Sequence, residues 1–421
     1  MPAPRPRIPR PEAANRAVRT TVVLLFAAWL IDYTDRLVIN LVLPSIGEDF
    51  DLNRGQQGLI VSAFFLAYAA CQIPGGMLAD RFGGKRVTGW ALLAWSLFTA
   101  LTGLAWSFAA LLVLRFVFGA AEGIFPSAGT KVLVERTTPE ERMGANGLIM
   151  SSNAIAAVVT PLAVAPLIGV FGWRSAFFST AALGVFVLVA IRMRLPDPLP
   201  RTEPDAGTHS GRGGVRDLLR MGVLWRFALM MFGYSVIIWG LNTWVPSYLS
   251  EERGISLTSA GALVAIPALG AAAATIVGGR LSDRLEGHHR KVIVPGMAVS
   301  ALALLLMAFS ASLVGFIVFG TLAVFAASLC YMPIFAVPLR SLAPEHVGVG
   351  SAVIVFGGQV AGMIAPPVMG VLADTFSFQV AFAFLVLGAV IAAAMAIATP
   401  QDTTSFLASS ARRTPLALEH S

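Results

Sequence analysis

Long apolar runs recur along this chain and constrain its fold more than any other feature. Runs of the roughly 20 apolar residues that a helix needs to cross a membrane follow one another from Val22 to Ala398. Overall, 56% of the residues are apolar and only 13% are charged, whereas about 25% are charged in an ordinary soluble domain. Lipid offers backbone groups no hydrogen-bond partners, and the runs are too continuously apolar for barrel strands. The sequence therefore predicts an all-α membrane protein.

The apolar runs, bounded by charged and turn residues, predict twelve membrane-spanning helices. They lie at 21–43, 57–79, 87–106, 109–131, 145–168, 175–194, 223–248, 258–280, 292–311, 314–338, 348–371 and 377–398. A hydrophilic segment rich in proline and glycine, as a mobile linker would be, separates the sixth run from the seventh. The predicted domains are a basic tail (1–20), a six-helix bundle (21–194), a linker (195–221), a second six-helix bundle (222–398) and a second tail (399–421).

An internal repeat relates the two predicted bundles. Three short segments recur at nearly one spacing, namely GGMLADRF at 75–82 as GGRLSDRL at 278–285, Pro-Glu at 139–140 and 344–345, and Ala-Phe at 176–177 and 381–382. Parallel six-helix repeats are one arrangement that alternating-access transporters use, with the substrate site between the halves near the membrane midplane. We therefore expect two pseudo-symmetric bundles around a central site.

The basic residues are distributed unevenly between the two sides of the membrane. Of 30 Lys and Arg residues, only Arg54, Arg174 and Arg253 fall in predicted loops opposite the termini, and Arg36 and Arg115 fall within helices. Because cytoplasmic loops carry the excess of Lys and Arg, we expect a multi-pass protein of the inner (plasma) membrane with both termini in the cytoplasm. The same asymmetry accounts for the net charge of +7 without a nucleic-acid partner.

Other classes of protein find little support in the sequence. Cys71 and Cys330 lie in apolar runs of different halves, so we expect them to pack as small side chains and not to form a disulfide. The sequence shows no metal-ligand cluster, nucleotide-binding loop or histidine–carboxylate set. We therefore expect no cofactor, no metal and no catalytic residue, which disfavours an enzyme. The tails are too short for a signalling domain, which disfavours a sensor, and we expect a monomer.

A few charged residues lie inside the predicted membrane segments. Asp32, Asp35 and Glu122 are the only acids well inside a predicted helix, and no histidine lies in one. Arg36 and Arg115 share the same two helices. Ionisable groups are costly at membrane depth and are functional candidates by default. A proton carrier at this depth must therefore be a carboxylate, and all five candidates belong to the first half.

The turn between the second and third helices carries a recognisable signature. It reads Gly76, Asp80, Arg81, Gly83, Lys85 and Arg86, and the second half repeats part of it as Asp283 and Arg284. This signature resembles that of the major facilitator superfamily. The resemblance implies two six-helix bundles and a gating turn whose carboxylate holds a basic partner in one conformation and releases it in another. A merely solvated basic turn is the alternative.

Finer motifs resemble one branch of that superfamily, the anion:cation symporter family. They are YTDR at 33–36, CQIPGG at 71–76, Arg115 with EGIFP at 122–126, WVPSY at 244–248 and GIS at 254–256. The resemblance implies a transporter that takes up a small organic anion, such as a carboxylate, sugar acid or aromatic acid, by proton symport through alternating access. Sodium is an alternative coupling ion, because carboxylates also bind it.

The resemblance also suggests roles for the charged residues. We expect Asp35 and Glu122 to carry the coupled proton, with Asp32 a further candidate, while Arg36 and Arg115 balance the charge and bind the anionic substrate. An anion that competes with a carboxylate for an arginine would link substrate binding to protonation. The alternative is that Arg36 with Asp35, and Arg115 with Glu122, form purely structural ion pairs.

Neutral polar side chains complete the predicted substrate site. The family positions are Tyr33, Tyr68, Asn153 and Gln359, and Tyr234 is a further candidate in the second half. Related sugar-acid carriers have Gln and Asn where this chain has Asn153 and Gln359, which argues against a specific sugar acid. Each of these two could instead make an interhelical hydrogen bond. A competing reading of the whole chain is a proton-coupled exporter of drugs or metabolites, but the two buried arginines argue against a cavity for cations.

Overall fold

The computed structural model describes residues 12–198, 218–286 and 288–411, and within these ranges it is helical, without any strand. The first half contains α1 (Glu12–Phe50), α2 (Arg54–Phe82), α3 (Gly84–Gly103), α4 (Phe108–Arg136), α5 (Pro139–Phe171) and α6 (Trp173–Arg194). The second half contains α7 (Gly222–Ser247), α8 (Leu257–Arg284), α9 (Arg290–Ala308), α10 (Leu313–Leu329), α11 (Tyr331–Ser341), α12 (Pro344–Thr375), α13 (Phe378–Ala398) and α14 (Thr403–Ala411). A π-helical turn, Tyr248–Glu252, extends α7.

The predicted spans correspond to these helices, with one span divided. The predicted span at 314–338 is split at Cys330 into α10 and α11. Counting that pair as one, 10 helical segments in the described ranges are long and apolar enough to cross a membrane. The remaining two predicted spans are α1, which carries three charged residues at its centre, and α3. Because α1 begins at Glu12, part of the predicted tail is helical, whereas most of the predicted linker lies outside the described residues.

Each half has its own apolar core. One cluster of buried side chains includes Leu25 and Trp95 from the first half, and another includes Phe227 and Phe382 from the second. The helix pairings repeat between the halves, with α1 on α5, α2 on α4 and α3 on α6 matched by α7 on α12, α8 on α10 and α9 on α13. This repetition is the structural form of the internal sequence repeat.

Glycines set the close approach of α2 and α4. A Cβ atom at Gly119 or Gly123 would collide with the backbone of Phe64 or Tyr68. Gly278 has the same role in the second half, where it faces a backbone carbonyl of α10. Small residues let membrane helices pack backbone to backbone, and the spacing of Gly119 and Gly123, one turn apart on α4, predicts such a contact from the sequence.

The two halves meet along three helix pairs, α2 with α12, α5 with α8, and α1 with α7. Their tightest contacts lie toward the end of the molecule where α1 ends and α2 begins, here called the far side. There a Cβ added to Gly58 would lie 2.5 Å from the Cα of Pro367. The Ser62 hydroxyl donates a 2.5 Å hydrogen bond to the carbonyl of Met363. The two halves are therefore in close contact on the far side.

An ionic cluster reinforces this contact, and we call Arg54, Glu251, Glu252 and Asp374 the far-side cluster. The Arg54 guanidinium lies 2.9 Å from Glu251, 3.3 Å from Glu252 and 3.8 Å from Asp374. It also lies over the ring of Phe378, 4.5 Å from the centroid. One arginine of the first half thus binds three carboxylates of the second half.

Candidate substrate and ion-coupling site

The centre of the first half contains a buried ionic group built on Arg36. Its Nε lies 2.8 Å from Oε2 of Glu122, which projects from α4, and its Nη2 lies 2.8 Å from Oδ2 of Asp32, one turn earlier on α1. The side chains of both carboxylates are fully buried, and that of Arg36 is 6% exposed. Burying charges in a medium of low polarity is tolerated only when they are paired, so the three residues form one electrostatic unit.

Aromatic rings surround the same guanidinium. Arg36 lies 4.3 Å from the ring centroid of Tyr68 and 5.3 Å from that of Tyr33. Tyr33 in turn stacks on Trp29 at 5.8 Å. Cation–π contacts of this kind stabilise a desolvated guanidinium. The structure therefore brings the predicted residues Tyr33, Tyr68 and Arg36 together.

The ion pairs suggested as a structural alternative are not the ones that form. Within the described residues, Arg36 has no salt bridge to Asp35, and Arg115 has none to Glu122; Arg36 binds Glu122 and Asp32 instead. The correction has a simple geometric cause. Residues adjacent in a helix point in different directions, whereas residues four apart share a face, so Arg36 reaches Asp32 and not Asp35.

Arg115 and Asp35 occupy a second buried region beside the ionic group. Arg115 is 2% exposed and lies against the rings of Phe118 and Phe177, at 5.0 and 4.9 Å. Within the part of the chain that the structure describes, no carboxylate lies within 4 Å of its guanidinium. Asp35 is also 2% exposed and lies near the hydroxyl groups of Thr99 and Thr180. Among the described residues, Arg115 and Asp35 thus form no salt bridge, whereas Arg36 forms two.

A small cavity joins the two arginines. It is lined by Arg36, Ile39, Asn40, Ile60, Val61, Phe64, Phe65, Arg115 and Trp239. Its wall is apolar except for the two guanidinium groups and the amide of Asn40, and Trp239 is the contribution of the second half. In this conformation the cavity has room for about one water-sized molecule, and what it shares with small-molecule sites is a few convergent polar groups in an apolar wall. Phe64 and Phe65 were not predicted as cavity residues, because apolar residues of a membrane helix follow the same pattern whether they face lipid, core or cavity.

The other predicted substrate residues lie outside this cavity. Tyr234 is half-buried on α7 and packs against Tyr331, with the ring centroids 5.5 Å apart. Gln359 is half-buried on α12, and Asn153 is exposed on α5. Tyr331 was missed by sequence reasoning; it begins α11, directly after the break in the predicted tenth span.

The predicted gating turn makes its contacts within the first half. The Asp80 carboxylate lies 2.7 Å from Nζ of Lys131 on α4, and the equivalent Asp283 lies 3.2 Å from Arg340 on α11. Gly83 has a φ of +86°, a conformation that strongly favours glycine, and it ends α2. The internal sequence repeat is therefore accompanied by equivalent ion pairs in the two halves.

The remaining members of the turn lie at the surface or touch the start of the linker. Arg81, Arg86 and Arg284 are exposed, while Gly76 is half-buried. Nζ of Lys85 donates a hydrogen bond of 3.0 Å to the carbonyl of Leu195. Arg136 likewise donates to the carbonyl of Pro196 at 2.7 Å. These bonds tie the described beginning of the linker to the first bundle.

The sequence matches the family model of the major facilitator superfamily over residues 24–294 and 246–418. Together with two repeated six-span bundles and a charged site in the membrane, this match shows that the chain belongs to that superfamily of transporters. A solved bacterial homologue of the human lysosomal transporter Spinster, described as inward-facing and unoccupied, has the same fold, with a TM-score of 0.83 at 19% identity. The alignment covers 93% of this chain and 98% of that one.

Other relatives share more of the sequence. The chain is 33% identical to the probable sulfoacetate transporter SauU of Cupriavidus necator, covering 84% of this chain and 87% of that protein. It is 30% identical to the probable L-galactonate transporter of Escherichia coli, over 70% of this chain and 69% of that one. It is 28% identical to the hexuronate transporter of Bacillus subtilis, over 86% of this chain and 89% of that one.

Proposed function

We propose that this protein takes up a small organic anion by proton symport through alternating access. The observation that carries the proposal is a cavity lined by two buried guanidinium groups, one paired with carboxylates and one with no carboxylate of the described residues within 4 Å. A buried guanidinium with no carboxylate at salt-bridge distance is costly until an anion joins it. The names of the relatives, a probable sulfoacetate transporter, a probable L-galactonate transporter and a hexuronate transporter, support an organic anion as the substrate.

The coupling follows from competition for the arginines. While Glu122 is ionised it holds Arg36, at 2.8 Å. A proton on Glu122 weakens that pair and leaves Arg36 with more capacity for the substrate anion. Asp35 lies near Arg115, and a proton there removes a negative charge from the vicinity of the incoming anion. Proton loading and anion binding therefore favour each other, as symport requires.

The far-side contacts support alternating access. The close packing of Gly58 on Pro367 and the ion pairs of the far-side cluster hold the two halves in contact on the far side in this conformation, as expected of a transporter closed on that side. If the positive-inside distribution of Lys and Arg gives the orientation, the closed far side is the extracytoplasmic one. Transport then requires these contacts to break while the halves close on the other side.

The direct test is uptake by the purified full-length protein in liposomes that are acidic outside and alkaline inside. The substrate panel is sulfoacetate, galactonate, glucuronate, glucarate and benzoate, all as radiolabelled anions. We expect at least one to accumulate, a protonophore to abolish the accumulation, and a sodium gradient at equal pH to leave uptake at background. Accumulation driven by a sodium gradient alone would show that sodium, and not the proton, is the coupling ion. Failure of every anion, together with outward transport of a cationic dye, would favour the exporter.

Replacing Arg115 with Gln should weaken substrate binding at least tenfold, with little loss of stability. A hydrogen bond to a charged group contributes about 1.5–3 kcal/mol, and no carboxylate of the described residues lies at salt-bridge distance from Arg115 to be left unpaired. The measurement is the Kd of the transported anion, by calorimetry in detergent, alongside the free energy of unfolding. Arg115→Lys is the matched control, since it keeps the charge and should retain part of the affinity. Unchanged affinity in Arg115→Gln would exclude Arg115 from the site.

Replacing Arg54 with Ala should shift the protein toward conformations that are open on the far side. The lost cluster is partly exposed and screened, so a shift of roughly 1–2 kcal/mol is expected. Spin labels at Phe171→Cys and Phe376→Cys, on exposed helix ends of opposite halves, would report it as a longer distance population, in a background with both native cysteines replaced. Arg174→Ala is the matched control, because Arg174 binds Asp49 within the first half, at 2.7 Å. An unchanged distance distribution in Arg54→Ala would show that apolar packing alone holds the closure.

A further inference from the structure

The buried charges of the first half are unevenly shared. Arg36 is bound by two carboxylates, Asp32 and Glu122, each with an oxygen 2.8 Å from it. Arg115, which lines the same cavity, has no carboxylate within 4 Å among the described residues. Asp32 is therefore a surplus negative charge on one arginine, next to another arginine that lacks a close partner.

The two carboxylates on Arg36 differ in how firmly they are attached to it. Glu122 belongs to α4, so its distance from Arg36 depends on how α1 and α4 pack. Asp32 belongs to α1 and lies one helical turn from Arg36, so the two side chains share a face of one helix. A movement of helices that separates Arg36 from Glu122 leaves Asp32 in place. Asp32 thus stays beside Arg36 as its counter-charge when α1 moves relative to α4.

Such a counter-charge limits what Arg36 can bind. In a poorly screened interior, a guanidinium already paired with a carboxylate attracts a further anion much less than a free one does. When Glu122 and Asp35 are both protonated during transport, Asp32 still neutralises Arg36, whereas the carboxyl group of Asp35 near Arg115 carries no charge. Arg115 then remains the stronger site for an anionic group, and its apolar surroundings of Phe118 and Phe177 suit a single one.

We infer that Asp32 sets the charge selectivity of the transporter: by neutralising Arg36 it restricts the cavity to substrates with one anionic group, which Arg115 binds. The inference rests on the proposed function and deepens it by naming the substrate class, small organic monoanions in preference to dianions of the same skeleton. Asp32 is in this view a positioning and selectivity residue, not a third proton carrier.

The test compares monoanions and dianions of matched shape. Binding of gluconate against glucarate, monomethyl succinate against succinate, and monomethyl malonate against malonate is measured at pH 7 by calorimetry on the full-length protein in detergent. Wild type should bind the monoanion of a pair more tightly. Asp32→Asn should shift the ratio of the two dissociation constants by about tenfold in favour of the dianion. A general loss of folded protein cancels in this ratio, because both ligands are measured on the same sample.

Two further variants sharpen the result. Asp32→Glu keeps the charge and should retain the wild-type ratio of dissociation constants within about twofold. Asp32→Ser is a second neutral variant for the case in which Asp32→Asn folds poorly, and it should shift the ratio in the same direction as Asp32→Asn. A ratio unchanged in both neutral variants overturns the inference while leaving the proposed function intact. Loss of proton-driven uptake in Asp32→Asn with an unchanged ratio would make Asp32 a proton carrier and also overturn it. If no ligand binds wild type or any variant, the proposed function itself fails.

Discussion

Replacing Arg36 with Met should destabilise the protein by about 3–5 kcal/mol, the cost typical of breaking a buried ion pair from one side. The reason lies in the two carboxylates that Arg36 neutralises. Asp32 and Glu122 are fully buried, and each has an oxygen 2.8 Å from the guanidinium. Without it, two negative charges face each other in the membrane interior, and the packing of the Arg36 side chain on Tyr68 changes as well.

The measurement is the free energy of unfolding by denaturant in detergent micelles, with Arg36→Met compared with a variant that also carries Asp32→Asn and Glu122→Gln. Replacing a whole buried ionic group with neutral residues is often nearly neutral for stability, so the triple variant should recover most of the loss. Both proteins should be inactive in transport. A triple variant as unstable as the single one would show that packing of the Arg36 side chain, and not charge compensation, stabilises this region.

Replacing Asp35 with Asn should abolish proton-driven accumulation of the substrate while leaving exchange of substrate across the membrane largely intact. Asp35 is buried, and among the described residues it has no basic group within 4 Å, unlike Asp32 and Glu122. It is therefore the carboxylate of the three that is freest to accept and release a proton. An amide cannot do so, but it still fills the same space. Exchange moves no net proton, so it does not need the carboxylate.

The assay measures radiolabelled substrate in liposomes twice, once driven by a pH gradient and once by counterflow at equal pH. We expect driven accumulation to fall at least tenfold, a change of about 1.4 kcal/mol or more. Asp49→Asn is the matched control on the same helix. Hydrogen bonds from Trp173 and Arg174 lower the pKa of Asp49, so this group stays ionised in the neutral range and should have no part in coupling. Driven uptake that survives in Asp35→Asn would assign the proton elsewhere.

The superfamily fold and the presence of the buried charged residues in the first half were predictable because they depend on local properties of the chain. Apolar runs of membrane length specify helices wherever they occur, and a helix fixes the face on which each of its residues lies. The grouping of Tyr33 and Arg36 on one face of α1 follows from that periodicity alone, and the structure confirms it through the contact of 5.3 Å between them. The close approach at Gly119 and Gly123 was predictable for the same reason.

The break at Cys330 and the identity of the cavity wall were not predictable in this way. The run containing α10 and α11 is uniformly apolar, so hydropathy shows one span where the backbone forms two helices. Phe64, Phe65 and Trp239 line the cavity while similar aromatic residues, such as Phe125 and Trp244, are fully buried in the cores. The same residue types serve lipid, core and cavity, and only the packing of helices distinguishes them.

The sequence by itself therefore determined that this chain is a two-bundle membrane transporter with three acids and two arginines at the depth of the membrane. Only the tertiary structure decided which of these charges are paired. Glu122 is 86 residues from Arg36, and their contact depends on the rotation and height of α4 against α1, which apolar packing sets and no local pattern encodes. That arrangement pairs Arg36 with Glu122 and Asp32 and leaves Arg115 without a carboxylate within 4 Å in the described structure.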